Sequence, residues 1–316
     1  MPHPTRQRGI ALMLVMWVLT LLTVMAVSMT AVQRTEIALT DNHVAETRFR
    51  VLSDAAIAYT ALQFMSLDSA PDESPSPADD EEAKMSVWRP NGSPRIWHFA
   101  GAEMTISVFN ELSRINLNQA EPALLATLLE VLQVPEDQAE PLAAAIVDWR
   151  DEDDLVLLNG AEDGDYQNAG IAFGAKDEPF IAIEELRQVF GMTQDVYRRL
   201  APEVTLAGEG ESLVIEFASP AVLAATQGLS LEDAQLQIAE RDSTTVPGAQ
   251  GPLTLDRGGP LYRIQVTEQL SGQPGRRMEA LMELMPGQQP PYLVHWRRFG
   301  LDSKASSAPP LESENG

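Results

Sequence analysis

The densest chemistry in the chain lies in a run of carboxylates: Asp148, Asp151, Glu152, Asp153 and Asp154, then Glu162, Asp163 and Asp165 just past Gly160. Carboxylates packed this closely repel one another unless a hard cation or several donors offset the charge, and calcium accepts flexible sets of oxygens from such loops. Asp148, Asp151, Asp153, Asp154, Glu162, Asp163 and Asp165 are therefore the candidate calcium ligands. The spacing matches an EF-hand loop poorly, so a solvated acidic loop with Arg150 and Lys176 nearby stands as the alternative. Acid–base catalysis would need two of these groups in one cleft with separated pKa values, which spacing does not establish. Other chemistry is thin. There is no cysteine, and His3, His43, His98 and His295 are scattered without metal or triad spacing. No catalytic residue and no enzymatic activity are expected.

The carboxylates sit within a helical block. Ala120-Glu-Pro122-Ala-Leu-Leu125-Ala resembles Ala218-Ser-Pro220-Ala-Val-Leu223-Ala, and each is followed by a second helical stretch, Pro135 to Arg150 and Ser230 to Arg241. Ser219 before Pro220 and Ser230 before Asp233 are helix-start signals. Between the copies, Ile183 to Phe190 and Thr193 to Leu200 read as short helices around Gly191. On either side the period becomes two. Met104, Ile106 and Val108 alternate with polar residues, as do Tyr262, Ile264 and Val266, then Met278, Ala280 and Met282, and a third segment runs from Tyr292 to Arg298. Val87-Trp88 and Ile96 to Phe99 bracket an Asn91-Gly92 turn signal. The last three strands read as an antiparallel meander, and the helical block as an insertion into one sheet domain. Residues 66 to 83 are acidic and proline-bearing, and the tail from Ser303 is rich in Ser, Pro and Glu; both are expected to be unstructured.

A formal net charge of −24 over 316 residues makes nucleic acid a poor partner. Residues 115 to 150 resemble helix-hairpin-helix modules of DNA-binding proteins, but their hairpin, Val131 to Asp137, is acidic and has no glycine to cradle a phosphate.

The N-terminus holds Arg6, Arg8 and Gly9, then an apolar run with no charged residue before Arg34, long enough to cross a bilayer. The arginines place the N-terminus in the cytoplasm and the bulk of the chain outside. No A-x-A-like cleavage site follows the run. Glu36 to Met65 keeps helical habits, so one long helix is expected, with a break near Thr40-Asp41-Asn42 as the alternative.

A glycine directly after the arginines and before the apolar run resembles the leader of type IV prepilins and pseudopilins; a plain signal anchor is the alternative. The resemblance implies cleavage by a prepilin peptidase between Gly9 and Ile10, and methylation of the new amine. Leu14 stands where that family usually has glutamate, which hints at a subunit at a filament end. Further on, Asp148-Trp-Arg-Asp-Glu-Asp-Asp154, Gly160-Ala-Glu-Asp163 with Tyr166, Pro179-Phe180, Glu184-Glu-Leu186, Gly191-Met-Thr193, Tyr197 to Pro202 and Trp296-Arg-Arg298 are similar, in order, to motifs of the general secretion pathway protein K family, the large minor pseudopilin of type II secretion systems.

That resemblance implies an α+β pseudopilin fold, a long N-terminal spine helix plus antiparallel sheet, with a large inserted all-α domain of two SAM-like or helix-hairpin-helix-like units. The boundaries expected are leader 1–9, transmembrane helix 10–33, spine continuation 34–65, acidic loop and first sheet part 66–112, insert 113–242, closing strands 243–300 and tail 301–316. The implied role is to cap the tip of a periplasmic pseudopilus and initiate its assembly, with minor pseudopilins I and J, other pseudopilins, the prepilin peptidase and the inner membrane as partners, and the secretin or secreted substrates beyond them. Leu14, Trp17 and Leu21 would then pack against neighbouring spine helices. A tip minor pilin of a type IV pilus, acting as a surface-binding module, is the competing reading.

Overall fold

A computed structural model describes residues 9–66, 88–153, 155–208, 210–243, 258–269 and 275–302. The acidic segment from Asp68 to Glu82, Arg6 and Arg8, and the tail from Ser303 lie outside the described residues. The chain divides into two units, residues 1–55 and 56–316.

The first unit is helical. Helix α1 runs Gly9–Ser66, with no break at Thr40 to Asn42. Its stretch Leu12–Thr30 is long and apolar enough to cross a membrane, and none of it is buried. The threonines within it do not spoil that character. Thr20, Thr23 and Thr30 donate their hydroxyls to the carbonyls of Met16, Leu19 and Ala26 at 2.5, 2.8 and 2.8 Å, so each polar group is satisfied within the helix itself.

The second unit begins with the last turns of α1, where Ile57, Ala61 and Phe64 are buried. It contains one five-stranded antiparallel sheet in the order β1-β2-β5-β6-β7: β1 Arg95–Phe99, β2 Ala102–Asn110, β5 Leu261–Glu268, β6 Gly275–Leu284 and β7 Tyr292–Asp302. Period-two residues form its buried face. Met104, Ile106, Val108, Ile264, Val266, Met278, Ala280 and Met282 are all within 1 % of full burial. Aromatic rings close one end of that face: Phe64 meets Tyr262 edge-on at 5.0 Å and Trp88 at 5.6 Å, and Tyr59 stacks on Trp97 at 5.5 Å.

The expected meander β5-β6-β7 is present, but the first hairpin differs from expectation. Its turn is Ala100–Gly101, both with positive φ (48° and 71°), the backbone that matches the twist of a two-residue hairpin. The Asn91-Gly92 signal marks instead a kinked approach to β1 along β2, where the Gly92 N–H donates to the Val108 carbonyl at 2.8 Å. A Cβ on Gly92 would lie 2.2 Å from the Phe109 ring, so only glycine fits. Trp88, read as part of a strand, belongs to none.

Between β2 and its sheet neighbour β5 lies the helical block: α2 Pro122–Val131, α3 Glu136–Asp148, α4 Asp163–Asn168, α5 Gln194–Leu200, α6 Pro220–Gln227 and α7 Leu231–Ser243. Helices α2 and α6, which open the two repeats, both carry proline at their first turn and pack on each other. Ser219 caps α6 by accepting from the Val222 N–H at 3.2 Å. Ile183–Gln188, expected as a helix, is a tighter 3-10 turn. Two short parallel strands that periodicity does not reveal, β3 Ile115–Asn116 and β4 Val204–Thr205, bring distant parts of the block together. Its core joins both repeats, with Leu125, Leu128, Ile146, Tyr166, Leu186, Leu200 and Val222 buried in one cluster.

Candidate functional site

Asp148, the last residue of α3, is wholly buried. Its carboxylate accepts from the Ala161 N–H at 2.8 Å and the Leu157 N–H at 3.2 and 3.3 Å. Burial pushes its pKa up, two backbone donors pull against that, and the charges of Asp153 and Asp165 raise it further. Gly160 is required beneath it, because a Cβ there would lie 1.8 Å from the Asp148 Oδ2. Asp148 thus serves as a backbone clamp for residues 157–161.

Two of the other candidate ligands are similarly engaged. Asp153 accepts from the Leu155 N–H at 2.9 Å, and Asp165 from the Glu162 N–H at 3.1 Å. Asp151 is partly buried, and burial followed by the charges of Asp148, Asp153 and Asp177 raises its pKa. Asp163 is exposed, Glu162 is buried, and Asp154 lies outside the described residues. Among the described residues no three His, Asp or Glu side chains converge as a metal cage. Asp148, Asp153 and Asp165 are thus aimed at backbone N–H groups. The Arg150 charge pulls the Asp151 pKa down in part, but its hydrogen bonds go elsewhere. Arg150 donates to the Leu117 carbonyl and, at 2.6 Å, to that of Ala120, while Lys176 pairs with Glu185 at 3.0 Å. Behind the loop, Trp149, Tyr166 and Phe180 pack together, and the Tyr166 hydroxyl accepts from the Phe190 N–H at 2.9 Å. Burial drives the Tyr166 pKa up to about 12.

A second polar centre, unforeseen from sequence, lies where the insert meets the sheet. Glu111, 1 % exposed, accepts from the Arg263 Nε at 2.9 Å and its terminal nitrogen at 2.5 Å, and from the Thr205 hydroxyl at 2.6 Å. Arg114 stands 3.7 Å from the same carboxylate; burial first, then the Arg263 charge, bring its pKa down to about 10. On the same face Trp296 lies between the guanidinium groups of Arg263 and Arg298, at 5.5 and 4.9 Å, and Arg298 reaches Glu184 of the insert at 2.6 Å. Glu111, Thr205, Arg263, Trp296 and Arg298 border a cleft of about 550 Å³ between insert and sheet.

Nearby, the Glu203 carboxylate accepts from the Ser219 hydroxyl, and burial raises its pKa despite that bond and the Arg114 charge. A carboxyl whose folded pKa lies above its unfolded value adds stability below the unfolded pKa, about 4.3, and loses it as pH rises through the folded value. Glu203→Gln, which mimics the neutral form, should therefore melt higher than the wild type at pH 7.5. That advantage should shrink as pH falls to 4.5, as thermal melts across the range would record.

On α1, Leu14, Trp17 and Leu21 are each more than half exposed and fall on one stripe of the helix. Gly9 and Ile10 open the helix.

Residues 109–209, from the end of β2 through β4, match the family model described as type II secretion system (T2SS), protein K. A type II secretion system protein K of Klebsiella pneumoniae is 31 % identical over 217 residues, 63 % of this chain and 62 % of that one. Residues 109–209 thus form a protein K domain of the type II secretion system kind. A protein K of Pectobacterium carotovorum subsp. carotovorum is 40 % identical over 77 residues, 24 % of each chain. These alignments span less than two thirds of either relative. The crystal structure of the GspK-GspI-GspJ complex from the enterotoxigenic Escherichia coli type 2 secretion system shares the fold, with a TM-score of 0.53 at 20 % identity, covering 81 % of this chain and 97 % of that one. The protein K match takes in Glu111, Arg114, Asp148 and Thr205, so both polar centres fall largely within it.

Proposed function

We propose that this chain is a protein K of a type II secretion system, a minor pseudopilin that caps the tip of a periplasmic pseudopilus and initiates its assembly, in the service of protein export across the outer membrane. The observation that carries this reading is the pairing of two features in one chain. A 58-residue helix bears an apolar, wholly uncovered membrane-length stretch, and a helical block interrupts the sheet between β2 and β5. The stretch is at home first in the inner membrane and then among neighbouring spine helices, with Leu14, Trp17 and Leu21 on the packing stripe. A subunit enlarged by such a block suits an open end better than the middle of a close-packed filament. Minor pseudopilins I and J are the proposed neighbours, by analogy with the solved complex, and the insert is proposed to consist of two SAM-like units. Calcium is a further proposal for the Asp148–Asp165 loop, and a melting temperature raised by calcium and lowered again by chelator would reveal it.

Processing offers the direct test. Cleavage after Gly9 should be lost in Gly9→Leu, leaving the longer precursor in the membrane and secretion at the level of a deletion strain. Pull-down of the wild-type chain should recover minor pseudopilins I and J together. Normal secretion by an uncleaved precursor, or recovery of neither partner, would refute the reading.

A further inference from the structure

The loop held by Asp148 presents something its family role does not require. Leu155, Val156, Leu157 and Leu158 follow one another with exposures of 75, 54, 36 and 89 %. A single exposed leucine is ordinary on a protein surface, whereas four consecutive apolar residues form a patch. Their backbone is held from beneath. The Leu157 and Ala161 N–H groups donate to the buried Asp148 carboxylate, and the Leu155 N–H to Asp153. The Gly160 N–H closes a turn on the Leu157 carbonyl at 2.8 Å, with Asn159 in the left-handed region at φ 66°. The four side chains are thus displayed by an anchored backbone.

The exposed charged residues that flank them in sequence are acidic. Exposed Glu152 and Asp153 precede the apolar run and exposed Asp163 follows it. The nearest cation in sequence, Arg150, is turned onto the Leu117 and Ala120 carbonyls. An apolar tip inside an acidic rim is complementary to an apolar pocket with a basic rim. A bilayer is a poor match, because the rim is repelled by anionic headgroups. A second copy of a chain with net charge −24 is a poor match for the same reason.

We infer that Leu155–Leu158 is a docking knob for a protein partner whose contact surface is an apolar pocket rimmed by lysine or arginine. The inference concerns the loop alone and stands whether or not the chain caps a pseudopilus. Site-specific photocrosslinking of the full chain in living cells tests it, with Leu158→p-benzoylphenylalanine as the probe. The expected result is a discrete product with one other protein, attached at a peptide where apolar residues adjoin lysine or arginine. Its yield should fall about tenfold or more when Leu155→Ser is added, as for loss of a hot-spot side chain, and likewise when the partner's adjoining basic residue is changed to glutamate. An unchanged melting temperature would verify that Leu155→Ser leaves the fold intact, with Val156→Ser as its replacement otherwise. Crosslinks to lipid, to a second copy or to a partner peptide without a basic residue would overturn the inference. So would a yield indifferent to these substitutions, or no product at all.

Discussion

Glu111→Ala should lower the stability of the folded unit at residues 56–316 by about 3–5 kcal/mol, the range for removing one partner of a buried ion pair. Glu111 accepts from the Arg263 guanidinium in bidentate geometry, accepts from Thr205, and lies close to Arg114. Without it, the Arg114 and Arg263 charges, which repel each other, would lose the carboxylate that lies against both. The loss should appear as a lower urea midpoint with little change in slope. Pairing the change with Arg263→Met should recover much of it, since it removes the uncompensated Arg263 charge and leaves Arg114 to the charges of Glu203 and Glu279. If the double variant were as unstable as the sum of the two single ones, the ion pair would not be what joins insert to sheet.

Asp148→Ala should lower stability by about 2–5 kcal/mol, because it leaves the Leu157 and Ala161 N–H groups without acceptors. Gly160→Val should produce a loss of similar size for a steric reason, since its Cβ would occupy the position of the Asp148 Oδ2. Both act on one contact, so the double variant should be clearly less destabilised than the sum, and thermal melts of the four chains give the coupling directly. Asp148→Asn retains one acceptor oxygen and should lose less. Full additivity would show that clamp and glycine act separately.

The two centres differ in how far they were legible in the amino-acid order. Asp148 stands in a dense acidic run, so its importance was visible; its chemistry was not, because spacing cannot distinguish a carboxylate facing backbone amides from one facing an ion. The Glu111–Arg263 pair was hidden altogether. The residues are 152 positions apart and flanked by strand signals in which charged side chains read as solvent-facing. The sheet face built from Met104, Ile106, Val108, Ile264 and Val266 was readable because alternation is a local property. The first hairpin was misplaced because Asn-Gly is the stronger turn signal, yet Ala100 accepts a positive φ once β1 and β2 are paired. The pair β3–β4 is too short to carry any period.

Asn110 and Gly258 flank the insert, and the Asn110 amide donates to the Gly258 carbonyl at 2.8 Å across 148 positions. To the sheet, that whole span therefore counts as a hairpin connection. Chain entropy grows only logarithmically with such a loop, by about 0.6 kcal/mol per doubling, so lengthening or exchanging what lies between the two anchors barely taxes the register of β2 on β5. The scaffold works as a socket. Its cargo of helices can change in length without disturbing the strands that carry it.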